Sequence, residues 1–90
     1  MENYYLYILK CSDGSLYTGI STDPDRRLLE HNESNSRGSK YTRARRPVSL
    51  VFKKHVGSLS DALKLEHKVK KLSRIKKVGI ITGQTDLNDV

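Results

Sequence analysis

The first twenty residues arrange apolar and polar positions in two short runs that predict a β-hairpin. Residues 4–10 and 16–20 are rich in tyrosine, leucine and isoleucine, which favour strands. The polar residues 12–14 between them end in Gly14 and are typical of a tight turn. Gly19 lies inside the second run, where a glycine indicates a backbone that another group approaches closely.

The rest of the chain predicts one more strand and three helices. A capping residue, a proline and an acid within residues 22–25 begin a helix that runs to residue 32. The polar and basic residues 33–46 predict a loop with one helical turn around Tyr41. Residues 48–55 predict the third strand, and a capping-box pattern at Ser58 begins the second helix. Ser73 interrupts that helix and caps a last one over residues 74–81.

This element order, β-β-α-β-α-α, predicts an α+β fold in which helices flank a three-stranded antiparallel sheet. The sequence contains no repeat and no long linker, so residues 1–82 are expected to form a single domain. Residues 83–90 are polar and acidic, and they are expected to fray as a C-terminal tail.

The apolar stripe of the helix after Ser58 contains one carboxylate. The stripe recurs at helical spacing and consists of Leu59, Ala62, Leu63, Val69 and Leu72. At about 100° per residue, Glu66 projects into this stripe. A carboxylate buried in ionised form without a partner costs several kcal/mol, so Glu66 requires a cation, a proton or a hydrogen-bonding partner. Lys70, one helical turn later, is the structural alternative to a functional cation.

Formal charge is distributed unevenly along the chain. The 90 residues carry 17 lysines and arginines against 10 acids, a net charge of +7. Residues 37–77 contain 14 of the basic residues and only two acids, so this half carries a charge of +12. A contiguous basic half on a small domain is typical of a surface that binds polyanions, most often nucleic acid. The alternative is a basic surface that only keeps the protein soluble.

Cysteine content and hydropathy limit the other classes of function. Cys11 is the single cysteine, so the sequence predicts neither an intrachain disulfide nor a cysteine-based metal site. The first residues are polar, and no apolar run is long enough for a signal peptide or a membrane helix. The sequence therefore predicts a cytoplasmic protein in a reducing compartment, without a membrane partner.

Five polar side chains stand out because their local sequence is apolar or structured. Tyr7 and Tyr17 lie on the two hairpin strands, and Glu66 lies on the later helix. Arg27 and His31 are four residues apart, so they share one helix face. Each has an ordinary explanation: packing for the tyrosines, surface exposure for Arg27, and interaction with a helix dipole for His31. Together with the basic half of the chain, the five residues favour a functional site.

Two turn geometries fit the hairpin, and they place the tyrosines differently. A two-residue loop pairs Tyr7 with Ile20, so that Tyr7 and Tyr17 point to opposite faces of the sheet. A three-residue loop, with Gly14 in the left-handed conformation, pairs Tyr7 with Gly19. Both tyrosines then lie on one face, as a shared site requires.

The ordered set of motifs resembles the GIY-YIG nuclease superfamily over roughly residues 4–80. The paired strand motifs are Tyr-Leu-Tyr at 5–7 and Tyr-Thr-Gly at 17–19. Residues 25–32 resemble the arginine helix of that family, and residues 62–66 resemble its metal-binding glutamate helix.

Residues 40–47 look like those of the small stand-alone bacterial members of this family. The departures are Tyr5, Leu6 and Thr18, which replace a glycine and two isoleucines of the motifs. No late asparagine of the kind found near the site in some branches can be placed, since Asn88 lies in the tail.

The resemblance implies a divalent-metal-dependent nuclease that hydrolyses DNA phosphodiester bonds. It implies that Glu66 holds one Mg²⁺ or Mn²⁺ ion and that Arg27 binds the scissile phosphate. Tyr17 is the preferred general base, while Tyr7 orients the attacking water or exchanges roles with it, and His31 relays a proton or binds phosphate. The residues expected to contact the nucleic acid are Gly19, Arg37, Lys40, Arg43, Arg45, Arg46 and Lys70.

Phosphate contacts carry no sequence information, so such an enzyme would recognise the structure of its substrate, as in DNA repair or recombination. The alternative is a non-catalytic DNA- or RNA-binding module on the same scaffold. A third interpretation, an interaction protein that recruits a repair partner, has no specific signal in the sequence.

Overall fold

The elements of the structure follow the predicted order. A computed structural model describes residues 3–90. The strands are β1 (Tyr4–Lys10), β2 (Leu16–Ser21) and β3 (Ser49–Gly57). The helices are α1 (Pro24–Glu33), α2 (Lys40–Arg43), α3 (Leu59–Lys70) and α4 (Arg74–Thr82). The α+β class and the three-stranded antiparallel sheet are confirmed, and α2 is the helical turn predicted around Tyr41.

The sheet has the order β2-β1-β3, so β1 is central and β2 is an outer strand. Both neighbours run antiparallel to β1. Tyr7 lies opposite Gly19 and Leu9 lies opposite Tyr17, which is the register of the three-residue loop. Gly14 has a φ of +85°, as that loop requires. Both tyrosines therefore lie on the same face of the sheet.

Helices cover both faces of the sheet. On one face, Leu6 and Ile8 of β1 form a core with residues of α3, α4 and the C-terminal segment. On the other face, Tyr7 and Leu9 form a second core, against which Leu28 of α1 packs. The alternation of side chains along β1 thus divides the interior, and the candidate tyrosines belong to the α1 side.

Side-chain caps explain where the helices begin. Asp23 accepts a hydrogen bond from the backbone of α1, and Ser39 does so for α2. Ser58 and Ser73 do the same for α3 and α4, so both sequence-predicted caps are confirmed.

The predicted apolar stripe of α3 is partly wrong. Leu59 and Leu63 are 37% and 48% exposed, respectively. Ala62 and Val69 of the predicted stripe are buried and Leu72 is partly buried, and Leu65, which the stripe did not include, also packs against the core. Periodicity alone did not show which of two adjacent apolar rows faces the sheet, because leucines occupy both.

The prediction that residues 83–90 fray is also wrong. Leu87 is buried in the core, and Val90 packs against it. Residues Leu87–Asp89 form a 3₁₀-helix, and the absence of a side chain at Gly79 admits Thr85 beside α4. Two apolar residues, Leu87 and Val90, are enough to hold this polar segment against the core. The predicted domain boundary at residue 82 stays a prediction.

Among the described residues 3–90, no helix is both long enough and apolar enough to cross a membrane.

Candidate active site

The centre of the site is a buried pair formed by Tyr7 and His31. The Tyr7 hydroxyl and His31 Nε2 are hydrogen-bonded at 2.9 Å. Tyr7 comes from the central strand and His31 from the last turn of α1, so the pair joins the sheet to the helix that covers it. The sequence singled out both residues, and the structure brings them into contact.

Gly19 is required because Tyr7 crosses β2 at this position. A Cβ atom on Gly19 would lie 2.5 Å from the Tyr7 hydroxyl oxygen and 2.6 Å from its Cζ. The ring of Tyr7 therefore lies against the backbone of the outer strand, with its hydroxyl end over Gly19. The close approach predicted at Gly19 is made within the chain, and contact of Gly19 with nucleic acid stays a prediction.

Replacement of Gly19 by alanine is expected to destabilise the protein by about 1–3 kcal/mol, because the added methyl group must displace the buried Tyr7 ring. Urea unfolding of the single variant measures this cost. In a Tyr7→Ala background the same replacement should cost much less, since the clashing ring is gone. Equal costs in the two backgrounds would contradict the assigned contact.

His31 is fully buried and neutral. Its relative exposure is 0%, and Nδ1 lies 2.8 Å from Thr42 Oγ1, while the Ser39 backbone N–H donates to Nδ1 at 3.4 Å. Burial, reinforced by the positive charge of Arg27, lowers the pKa of His31 from 6.5 to about 4. A neutral imidazole does not act as a cation at the end of α1, so that explanation of His31 is wrong. Sequence reasoning missed Thr42 as a partner; the pattern Ser39-x-x-Thr42 at a helix start was the available signal.

The lowered pKa of His31 predicts a loss of stability in mild acid. Below pH 6.5 the unfolded chain binds a proton at His31, while the folded chain does not until about pH 4. The free energy of unfolding should therefore decrease as the pH falls through this window, by up to about 3 kcal/mol. Urea titrations between pH 7 and pH 4 measure it. The control is His31→Gln, whose stability should depend less steeply on pH; identical slopes would contradict the assignment.

Arg27 lies beside the Tyr7–His31 pair and is 28% exposed. Its guanidinium donates to Glu30 Oε1 at 3.2 Å and to the carbonyl oxygen of Arg37. A hydrogen bond from Arg27 to Tyr7 also acts to lower the pKa of the phenol. The partly exposed cation thus faces both the tyrosine and the solvent, which suits a group that binds a phosphate.

The pKa of Tyr7 is raised to about 12, chiefly by burial and then by the neighbouring Tyr17. The charge of Glu66 raises it further. This effect is notable because α3, which carries Glu66, packs on the opposite face of the sheet. The electrostatic effect of Glu66 on Tyr7 thus acts between residues that belong to the two sides of the sheet.

Glu66 lies at the border of the buried face of α3. Its side chain is 19% exposed, and Oε2 lies 3.4 Å from Lys70 Nζ. The structural partner considered for Glu66 from the sequence is thus present. Lys70 is half exposed, and an i,i+4 pair of this kind contributes only about 0.3–0.5 kcal/mol, so Lys70 can readily exchange Glu66 for another partner.

Tyr17 is held in a column of stacked side chains. Its ring lies 5.2 Å from the His31 ring and is stacked on Tyr41 at 5.9 Å. The Arg45 guanidinium lies 3.8 Å above the centre of the Tyr41 ring and pairs with Asp13 at 3.1 Å. Tyr41, which the sequence did not single out as a site residue, therefore fixes the position of a candidate catalytic tyrosine.

The arginines of the loop before β3 serve the fold as well as the charge. Arg46 donates to the backbone oxygens of His31 and Ser34 at 2.6 Å each, and so caps the end of α1. Arg43 donates to the backbone oxygen of Asn35 at 2.6 Å. Nucleic-acid contact stays a prediction for all the basic positions named from the sequence; Arg37 and Lys40 are the exposed ones without a strong tie to the loop.

The donors near Glu66 limit the kind of metal site. Among residues 3–90, no group of three or more His, Cys, Asp or Glu side chains is arranged to hold a metal ion. A lone carboxylate suits Mg²⁺, which retains most of its waters and needs one or two protein carboxylates together with substrate phosphates. The residues present therefore fit a hydrated divalent ion at Glu66 and do not fit a closed structural metal centre.

Comparison with known families agrees with this geometry. A family model described as the GIY-YIG catalytic domain matches residues 3–78, which is most of the chain. The chain belongs to the GIY-YIG family. Curated GIY-YIG relatives of similar length include a UPF0213 protein of Staphylococcus saprophyticus, 48% identical over 91% of this chain and 98% of that protein. A UPF0213 protein of Syntrophus aciditrophicus is 51% identical over 90% of this chain and 92% of the relative.

Solved structures of relatives share the fold. A solution NMR structure of a UPF0213 protein from Bacillus halodurans has a TM-score of 0.56 and 46% identity, covering 89% of this chain and 83% of that one. An NMR structure of a protein from E. faecalis has a TM-score of 0.61 and 42% identity, covering 92% and 90% of the two chains. The nuclease-type fold of the GIY-YIG family is thus shown for this chain.

The departures from the GIY-YIG motifs lie away from the polar centre. Leu6 and Thr18 point to the α3 side of the sheet, opposite to Tyr7 and Tyr17. Thr18 is buried, and its Oγ1 has no hydrogen-bond partner among the described residues. Tyr5 lies edge-on to His55 of β3 at 5.2 Å. All three replacements lie at packing positions in this chain, which retains the motif tyrosines Tyr7 and Tyr17 and the motif glycine Gly19.

Proposed function

We propose that this chain is a divalent-metal-dependent nuclease that hydrolyses DNA phosphodiester bonds. The proposal is supported by the buried Tyr7–His31 hydrogen bond, with Arg27 and Glu66 near enough to influence the pKa of Tyr7, within a GIY-YIG fold. Phosphodiester hydrolysis needs an activated water, stabilisation of charge on the phosphoryl group and help for the leaving oxygen. The four side chains have the chemistry for these tasks.

Arg27 binds and orients the scissile phosphate. Its guanidinium is partly exposed and bonded on one side to Glu30, so donors remain for a substrate oxygen. A planar guanidinium can bind two phosphate oxygens at once, which fixes the orientation of the phosphate. The positive charge of Arg27 also stabilises the negative charge that develops on the phosphate during the reaction.

Glu66 holds the divalent cation, for which Mg²⁺ or Mn²⁺ is proposed. When bound, the ion supplies Lewis-acid stabilisation of charge on the phosphoryl oxygens. Lys70 pairs with Glu66 in the free chain, and if Glu66 held the cation the ammonium group of Lys70 would be left to bind a substrate phosphate. The lysine thus neutralises the carboxylate until the substrate arrives.

The two tyrosines have different roles: Tyr7 is a hydrogen-bond donor and Tyr17 is a general base. With a pKa of about 12, Tyr7 remains protonated at neutral pH and orients water or a substrate oxygen through its hydroxyl. Tyr17 is the preferred general base, held in place by Tyr41. His31 supports Tyr7 from the protein side.

Substrate recognition is proposed to rest on backbone phosphates. The exposed basic residues include Arg37 and Lys40 near α1 and several lysines of α3 and α4. Such contacts position a nucleic acid without reading its bases, so the enzyme would select a DNA structure and not a sequence. A cytoplasmic location and a role in DNA repair or recombination belong to the same proposal.

The alternative is a non-catalytic DNA- or RNA-binding module. The specific observation in its favour is the Glu66–Lys70 pair, which leaves the carboxylate satisfied without a metal ion. The basic half of the chain would serve either function.

A panel of substrates separates the two functions. Purified protein is incubated with branched, single-stranded and duplex DNA, and with matching RNA, in Mg²⁺, Mn²⁺ or EDTA. Cleavage of DNA that requires the metal ion supports the nuclease. Salt-dependent binding without cleavage under any of these conditions would overturn the nuclease and support the binding module.

A further inference from the structure

Thr42 is a buried polar residue that contacts Nδ1 of His31, while Tyr7 contacts Nε2 of the same ring. Its relative exposure is 0%, and it lies in the single turn of α2. Its Oγ1 is 2.8 Å from His31 Nδ1 and 2.9 Å from the hydroxyl of Ser39, the N-cap of α2. Neither residue contacts the proposed substrate, yet together they are the hydrogen-bond partners of His31 Nδ1.

The hydrogen-bond network determines which ring nitrogen of His31 carries the proton. The backbone N–H of Ser39 can only donate, and its 3.4 Å contact with Nδ1 favours Nδ1 as an acceptor. The Thr42 hydroxyl then donates to Nδ1 at 2.8 Å, a shorter bond than its 3.2 Å alternative to the Ser39 carbonyl oxygen. The Ser39 hydroxyl in turn donates to Thr42 Oγ1. The opposite tautomer would direct Nδ1–H to Thr42 Oγ1 and turn the Thr42 hydroxyl to the Ser39 carbonyl oxygen at 3.2 Å, so the Ser39 N–H would lose Nδ1 as its acceptor.

The tautomer of His31 sets the direction of the hydrogen bond to Tyr7. With the proton on Nε2, His31 donates to the Tyr7 hydroxyl oxygen at 2.9 Å. Tyr7 therefore does not donate its hydroxyl proton to His31, and that proton is left for another acceptor.

We propose that Thr42, supported by Ser39, is a positioning residue that holds His31 as the Nε2–H tautomer and so keeps Tyr7 as a hydrogen-bond donor to substrate or water. Only the last step, the donation by Tyr7, rests on the proposed nuclease function. The hydroxyl chain from Ser39 through Thr42 to His31 exists whether or not the protein cleaves nucleic acid.

The ring nitrogens of His31 report the tautomer directly, without any catalytic assay. Long-range ¹H–¹⁵N NMR spectra distinguish protonated from unprotonated imidazole nitrogens, and His31→Gln identifies the signals among the three histidines. In the wild-type protein Nδ1 should resonate as an unprotonated nitrogen and Nε2 as a protonated one. A wild-type His31 with its proton on Nδ1 would overturn the proposal.

Thr42→Val and Thr42→Ser separate the hydroxyl from the shape of the side chain. The valine variant should weaken the preference for the Nε2–H tautomer, because only the 3.4 Å contact of the Ser39 N–H remains at Nδ1, and it should lower kcat about tenfold with little change in KM. The serine variant should restore both the tautomer and kcat. Thr22→Val, at an exposed threonine, is the matched control and should change neither.

Several results would contradict this role. A Thr42→Val protein with the wild-type tautomer, or a serine variant that does not restore it, would show that the hydroxyl is not what orients His31. If Thr42→Val does not fold, the wild-type spectrum and the serine variant decide the question. If the wild-type protein cleaves no substrate, the proposed function fails while the tautomer measurement still tests the positioning role.

Discussion

Replacement of Glu66 by glutamine is expected to reduce metal-dependent cleavage on the order of a thousandfold while leaving DNA binding nearly unchanged. Glutamine keeps the shape of the side chain but removes the charge that would hold the cation. Glu66 is the carboxylate of α3 that acts on Tyr7, and its partner Lys70 is half exposed. Cleavage rates in Mg²⁺ and Mn²⁺, with binding measured separately in EDTA, check this prediction.

The matched control for Glu66 is Asp61→Asn, which removes one negative charge from an exposed position in the same helix. It should retain wild-type cleavage. Metal binding has its own readout, because paramagnetic Mn²⁺ should broaden the amide signals around residue 66 in the wild-type protein and not in Glu66→Gln. Unchanged cleavage or unchanged broadening in the Glu66 variant would rule out the metal assignment.

Replacement of Arg27 by alanine is expected to lower kcat about a hundredfold to a thousandfold, since a cation that stabilises the developing phosphoryl charge is lost. Its guanidinium is partly exposed and acts on the buried Tyr7. Steady-state kinetics on the substrate cleaved best by the wild-type protein measure the loss. Thermal unfolding should accompany the assay, because Arg27 also donates to the carbonyl oxygen of Arg37.

Arg26→Ala is the control for Arg27, as it removes an exposed positive charge from the neighbouring position of α1. It should weaken binding slightly and leave kcat unchanged. Equal losses in the two variants would mean that only the overall positive charge matters. An Arg27→Ala protein that loses affinity but retains kcat would place Arg27 in substrate binding alone.

Much of the fold could be predicted because its signals are local. The caps at Ser58 and Ser73 follow from a hydroxyl placed just before an apolar periodic segment, and the structure confirms both. The hairpin follows from two strand-forming runs around a glycine turn. One prediction failed where two local solutions were equally good, in the choice between the two apolar rows of α3. Another failed in the polar segment 83–90, which Leu87 anchors in the core.

The site was predicted in part for the same reason. Arg27 and His31 share a helix face by spacing alone, and the tyrosines stand out within their strands. The partners that orient them lie elsewhere in the chain: Thr42 is 11 residues from His31, and Arg45 is 32 residues from Asp13. No periodicity connects such pairs, so their contacts could not be inferred from the sequence.

The sequence by itself determined the element order, the basic half and the five candidate side chains, since these depend on composition and on neighbours within one or two turns. The tertiary structure decided the hairpin register that puts Tyr7 and Tyr17 on one face. It showed that the missing side chain of Gly19 makes room for the Tyr7 ring. It also showed that Arg45 and Arg46 hold the loop around His31. These outcomes depend on packing between distant segments, where burial and hydrogen-bond satisfaction select one arrangement from several that the local sequence permits.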